Sequence, residues 1–153
     1  MRTGTSFARD WQLIKVARSL RRHDVAGPLV RRLLVDAPPG LTEGIAAIAG
    51  RLGKENGTAL LAHAEERFDP PTLMEGLLLT WGIPCHSTGD ADDGVVTIAI
   101  DGDGAAAALQ DTFADVRVAV PYLTGYVRAL QPDAVIEAGD GGSMTIRFPS
   151  RGE

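Results

Sequence analysis

The sequence predicts an α+β fold: a four-stranded antiparallel sheet made of two hairpins and packed by helices, with an N-terminal helical arm. Three observations carry this. Residues 83–88 and 94–100 read as two strands joined by an acidic, glycine-bearing turn, Gly89-Asp-Ala-Asp-Asp93. Residues 134–138 and 143–148 alternate around Gly139-Asp-Gly-Gly142, a second hairpin signal. Everything else with apolar order repeats at helical spacing, and strands that come in hairpins instead of alternating with helices exclude a doubly wound nucleotide fold.

In chain order, residues 6–22 place Phe7, Trp11 and Ile14 on one stripe with a basic back, an amphipathic helix for which Ser6 is the N-cap. His23-Asp24 interrupts, and residues 25–35 give a second helix with Pro28 in its first turn and Leu29, Leu33 and Leu34 on one side. Ala37-Pro-Pro-Gly40 ends it. Leu41, Ile45, Ile48 and Leu52 mark a third helix running toward Ala64 or Phe68. Each glycine inside a helix costs about 1 kcal/mol relative to alanine. The run Gly44, Gly50, Gly53 and Gly57 therefore implies either a break near residues 53–57 or, preferred here, close approach of another helix. Asp69-Pro-Pro contains a helix start and Thr72-x-x-Glu75 a capping box, ahead of Leu73, Met74, Leu77, Leu78 and Trp81; Gly82 closes this helix. Asp103 caps a helix over 104–114 with Ala106, Leu109 and Phe113 inward, and Pro121 opens a last helix ending near Leu130, with Tyr122 and Tyr126 on one face.

The 153 residues form a single domain, with an N-terminal helical arm over 1–40 and a core over 41–149; 44% hydrophobic and 23% charged residues favour neither disorder nor a membrane span. One cysteine, Cys85, excludes an internal disulfide and any cysteine-cluster zinc site. No signal-peptide core and no apolar run of 18 residues is present, so a cytoplasmic chain is expected. The net charge of −5 conceals an asymmetry: ten Lys/Arg against four Asp/Glu in residues 1–54, five against sixteen in 55–153. The cluster Arg18, Arg21, Arg22, Arg31 and Arg32 is the best case for nucleic acid. The overall acidity opposes phosphate, and a basic face meeting the acidic part of its own chain or of a partner subunit is preferred.

Reactive residues are sparse. Cys85 and His86 are adjacent on a strand and point to opposite faces, so they do not converge. Asp90, Asp92 and Asp93 lack the twelve-residue calcium-loop pattern with its closing glutamate. Gly50-Arg-Leu-Gly53-Lys-Glu-Asn-Gly57 lacks the lysine-hydroxyl pair of a phosphate loop and sits inside a helical pattern, and Ser87, Ser143 and Ser150 have no base assigned by spacing. No catalytic residue, metal-ligand set or cofactor is assigned. What remains is an apolar and aromatic set on the helices beside the sheet: Met74, Leu78, Trp81, Phe113, Tyr122, Leu123 and Tyr126. These residues line a pocket or simply form the apolar layer every sheet requires, and composition alone favours the layer.

From residue 44 onward the order of pieces resembles the 4-vinyl reductase-like domain family, small-molecule-binding relatives of TRAPP trafficking subunits and of archaeal sensor output domains. The resemblance rests on the glycine-spaced helix of Gly50 to Gly57, the helix ending in Trp81-Gly82 before a hairpin, the aromatic-glycine segment Pro121-Tyr-Leu-Thr-Gly125-Tyr126, and Glu137, Gly142 and Phe148 in the last hairpin. Family cysteines fall near Val120 or Pro121, Asp140 and Ile146, so no thiol or metal chemistry is carried over. The resemblance implies a homodimer and an apolar pocket. The expectation is a non-enzymatic regulatory domain binding an apolar or tetrapyrrole-like molecule and dimerising through Phe7, Trp11 and Ile14. The alternatives are a pure assembly subunit like the TRAPP relatives and an accessory tetrapyrrole-processing reductase.

Overall fold

The structure, a computed structural model, describes residues 26–36, 38, 40–64, 68–89 and 94–149. The expected helix over 6–22, with Ser6, Phe7, Trp11, Ile14, Arg18, Arg21 and Arg22, lies outside the described residues, as do His23, Ser150 and the acidic turn residues Asp90, Asp92 and Asp93.

Helix α1, Ala26–Asp36, buries only Leu34 of the three leucines expected on one side; Leu29 and Leu33 are exposed. Gly40 turns the chain with φ 98° into α2, Leu41–His63, which runs unbroken through all its glycines. Its buried residues are Ala49, Gly53 and Gly57, while Leu41, Ile48 and Leu52 face outward. The apolar repeat does mark a helix, but the side packed against the rest of the fold is the glycine side. The physical reason is α5: a Cβ added at Gly53 would stand 2.8 Å from the Tyr122 carbonyl carbon, and one at Gly57 2.6 Å from the Tyr126 carbonyl oxygen. Gly125 returns the arrangement, since a Cβ there would meet the Gly50 carbonyl. Only hydrogen fits between the two backbones.

Helix α3, Pro70–Thr80, starts where the Asp-Pro signal places it. Asp69 Oδ1 accepts from the Thr72 amide at 2.8 Å, with proline in the first turn. The capping box does not form, because Asp69 is the N-cap and places Thr72 inside the first turn; Glu75 accepts from Ser87 Oγ at 3.1 Å. At the other end Gly82, at φ 69°, donates to Leu79 O, and Ile83 donates to Leu78 O. These are the two bonds of a glycine-closed helix terminus. They engage Ile83, Pro84 has no amide to donate, and so strand β1 is only His86–Thr88 and not the run from residue 83.

Strand β2, Val95–Ile100, leads to α4, Ala105–Phe113, whose N-cap is Gly104 and not Asp103; no side chain caps it. Helix α5, Val116–Leu130, begins five residues before Pro121. Asp115 accepts from the Arg117 amide at 2.8 Å and fixes that start, leaving Pro121 inside the helix, where the Arg117 carbonyl loses its usual donor. Strands β3, Val135–Ala138, and β4, Met144–Pro149, complete a four-stranded antiparallel sheet of order β1-β2-β4-β3. The two hairpins join through β2 and β4, with Ile98 opposite Ile146 and Ile146 opposite Ile136. Ile98, Ile100, Met144, Ile146 and Phe148 point to one face and are buried beneath the helices. Each such side chain contributes about 1.5–3 kcal/mol. The fold is α+β, as the sequence predicts.

Candidate functional site

Three helices bring the aromatic set together. Trp81 caps the end of α3, Phe113 is the last residue of α4, and Tyr122 and Tyr126 lie one turn apart on α5. Trp81 meets Phe113 edge-on at 5.5 Å between ring centroids, and Tyr126 at 6.3 Å; Phe113 and Tyr122 are 5.3 Å apart, and Tyr122 and Tyr126 stack at 6.0 Å. These are favourable ring geometries. The tyrosines hold this position because the α2 glycines admit the α5 backbone, and Asn56 of α2 donates to the Tyr122 hydroxyl at 2.8 Å. Met74, Leu78 and Leu123 are fully buried beside the cluster. All seven residues named from the sequence are therefore neighbours in one body of side chains. Burial and the nearby Tyr122 push the Tyr126 phenol up to about 12.

The other side of α3 is open. Leu60 of α2, Phe68, and Thr72, Leu73, Gly76, Leu77 and Thr80 of α3 line an apolar groove of about 420 Å³. Its floor is Gly76, where an added Cβ would meet no atom within 4 Å. Phe68 stands half exposed at the edge, and the Thr80 hydroxyl is spent on the Gly76 carbonyl at 2.8 Å. The volume falls within the ~300–1,000 Å³ of small-molecule sites. Sequence reasoning missed this groove, although a signal was present. Leu73 and Leu77 repeat at helical spacing beside the buried pair Met74 and Leu78, so the apolar face of α3 is wider than the core covers, and its Leu73–Leu77 margin is only partly buried.

A second groove of about 300 Å³ lies among α4, the start of α5 and the last hairpin turn, lined by Ala106, Leu109, Gln110, Asp115, Val116, Gly141 and Gly142. Its one carboxylate is occupied. Arg117 donates from Nε to Asp115 Oδ1 and from Nη2 to Oδ2, both at 2.9 Å, and holds that carboxyl below its ordinary value. This pair serves the helix start.

Among the described residues, Cys85, His86 and His63 have separate surroundings. Cys85 is half buried against the core, its thiol pushed up by burial and by Glu75. His86 faces solvent and pairs with Asp101 at 3.2 Å, and His63 bonds its own helix at the Ala59 carbonyl, 2.7 Å away. Among the described residues no three His, Cys, Asp or Glu side chains converge to hold a metal, and no helix is long and apolar enough to cross a membrane. No family model, curated protein or solved structure compared with the chain matches it.

Proposed function

We propose that the chain is a non-enzymatic regulatory domain that binds an apolar small molecule between α2 and α3 and acts as a homodimer. The observation that carries this is the groove of about 420 Å³, apolar along Leu60, Phe68, Leu73 and Leu77 and floored by a glycine. A flat or elongated apolar molecule, tetrapyrrole-like at the upper end of size, suits such an opening. None of the seven residues named from the sequence lines this groove; Met74 and Leu78 are buried on the same helix, next in sequence to its lining residues Leu73 and Leu77. Binding shifts the protein only by the difference in ligand affinity between two arrangements of α2 and α3.

The test is a fluorescence titration with the apolar dye anilinonaphthalene sulfonate. The wild-type chain is expected to bind saturably, and Gly76→Leu, which fills the floor, to reduce affinity roughly tenfold or more. The same substitution adds about 1 kcal/mol of helix stability, so lost binding cannot be ascribed to unfolding. Dye binding unchanged in Gly76→Leu sinks the placement. Absence of binding by wild type favours a second reading, an assembly subunit without ligand, to which the mutual packing of Trp81, Phe113, Tyr122 and Tyr126 also points.

A further inference from the structure

Helix α2 carries its large aliphatic residues away from its packed side, which is Ala49, Gly53 and Gly57. Leu41, Ile48 and Leu52 are 42%, 57% and 48% exposed, and with the half-buried Ile45 they follow one another at spacings of four, three and four along one line. Leu41 also shares a groove of about 220 Å³ with Leu29 and Leu33 of α1, which are 56% and 44% exposed. The line ends on a charge, because Glu55 follows Ile48 by seven residues. Contiguous apolar surface of this kind, left open by the described residues, marks an interaction surface. Five half-exposed side chains fall short of the ~800 Å² per partner of a stable complex between separate chains. A segment tethered beside the patch needs less area, because a short linker holds it at an effective concentration on the order of mM.

We propose that residues 6–22 of the same chain dock on this line as a helix antiparallel to α2, an inference that goes beyond the ligand reading above and does not rest on it. Three observations carry it. The described chain starts at Ala26, one helical turn before Leu29, so the preceding residues join the fold beside the patch. Residues 23–25 leave up to ~13 Å between Arg22 and Ala26, enough to turn the chain onto α2. The segment's own stripe has the matching period, since Phe7, Trp11, Ile14 and Arg18 also follow at four, three and four. Set antiparallel with Arg18 at Leu41, it brings Ile14 to Ile45, Trp11 to Ile48 and Phe7 to Leu52. Charge is complementary at both ends. Arg18 meets Asp36, which lines the same groove as Leu41. Glu55 lies just past Phe7, at the positive end of a helix capped by Ser6. The carboxylate that would be stranded between two copies of α2 thus has a partner here. Phe7, Trp11 and Ile14 serve inside one copy, in place of the contact between copies expected from the sequence, and a homodimer uses another surface.

Tryptic digestion of the full chain tests this, because Arg9, Lys15, Arg18, Arg21 and Arg22 are cleavage sites within the segment and a docked helix resists cleavage. Fragments are identified by mass. Ile48→Glu is expected to speed cleavage within residues 9–22 roughly tenfold or more, because docking would bury an unpaired carboxylate. Ile14→Glu, on the segment itself, is expected to do the same. Leu79→Glu, equally exposed but on α3, is expected to leave the rate as in wild type. Cleavage after Arg117 and Arg147, in the body of the fold, is the internal control and is expected to stay unchanged in all three. In a Cys85→Ala background, Phe7→Cys combined with Leu52→Cys is expected to lose both thiols to copper phenanthroline at a mass of 16.1 kDa. Equal cleavage of the segment in wild type and Ile48→Glu overturns the proposal. Protection that fades as wild type is diluted, or an oxidised product at twice 16.1 kDa, assigns the line to a second copy and also overturns it.

Discussion

Tyr126 is buried between Tyr122 and Trp81, with ring centroids 6.0 and 6.3 Å away, and its phenolate would have to form in a largely desolvated position. Its phenol is accordingly pushed up from 10.0 to about 12. A proton held more tightly in the folded than in the unfolded chain stabilises the fold fully below pH 10, and that contribution is lost as pH rises toward about 12. Urea midpoints are expected to fall through this window in wild type, and less in Tyr126→Phe. A phenol that ionises near 10 in the folded chain, with equal alkaline loss in both proteins, would contradict the enclosed position. The four rings were legible as a set because each lies on the apolar face of a readable helix. That they fill one another was not, since ring packing depends on how deeply the helices approach. Leu60 and Phe68 were missed for a related reason: a groove between two helices belongs to neither periodicity alone.

Helix α2 and helix α5 meet backbone to backbone, and the glycine run announced the close approach in the sequence. Gly53→Ala is therefore expected to destabilise by about 3 kcal/mol or more, despite alanine's better helix propensity. Gly76→Ala, with open space around it, is expected to stabilise by about 1 kcal/mol. Equal effects at both sites in urea denaturation would show that α2 does not touch α5. The hairpins were legible from alternation and their glycine turns. Boundaries failed where a specific hydrogen bond outweighed pattern: Asp115 began α5 ahead of Pro121, and the glycine closure of α3 took Ile83 from β1. The repeat Leu41, Ile45, Ile48 and Leu52 marks helix α2 but not its packed face, because contact with a neighbouring backbone requires the smallest residues there, not the most apolar.

At the scale of the molecule, the described residues leave apolar surface at the groove beside α3 and along the outer line of α2. Both involve α2, which carries Leu60 into the groove and Leu41, Ile48 and Leu52 to the outside. Under the proposed function, a ligand held between α2 and α3 acts by favouring one arrangement of these helices in the homodimer. The native mass spectrum of the full chain, purified from its own host and compared with its denatured spectrum, tests this most directly. The expected spectrum is a species of twice 16.1 kDa carrying a small additional mass that is absent after denaturation. A bare species at 16.1 kDa in both spectra would contradict it.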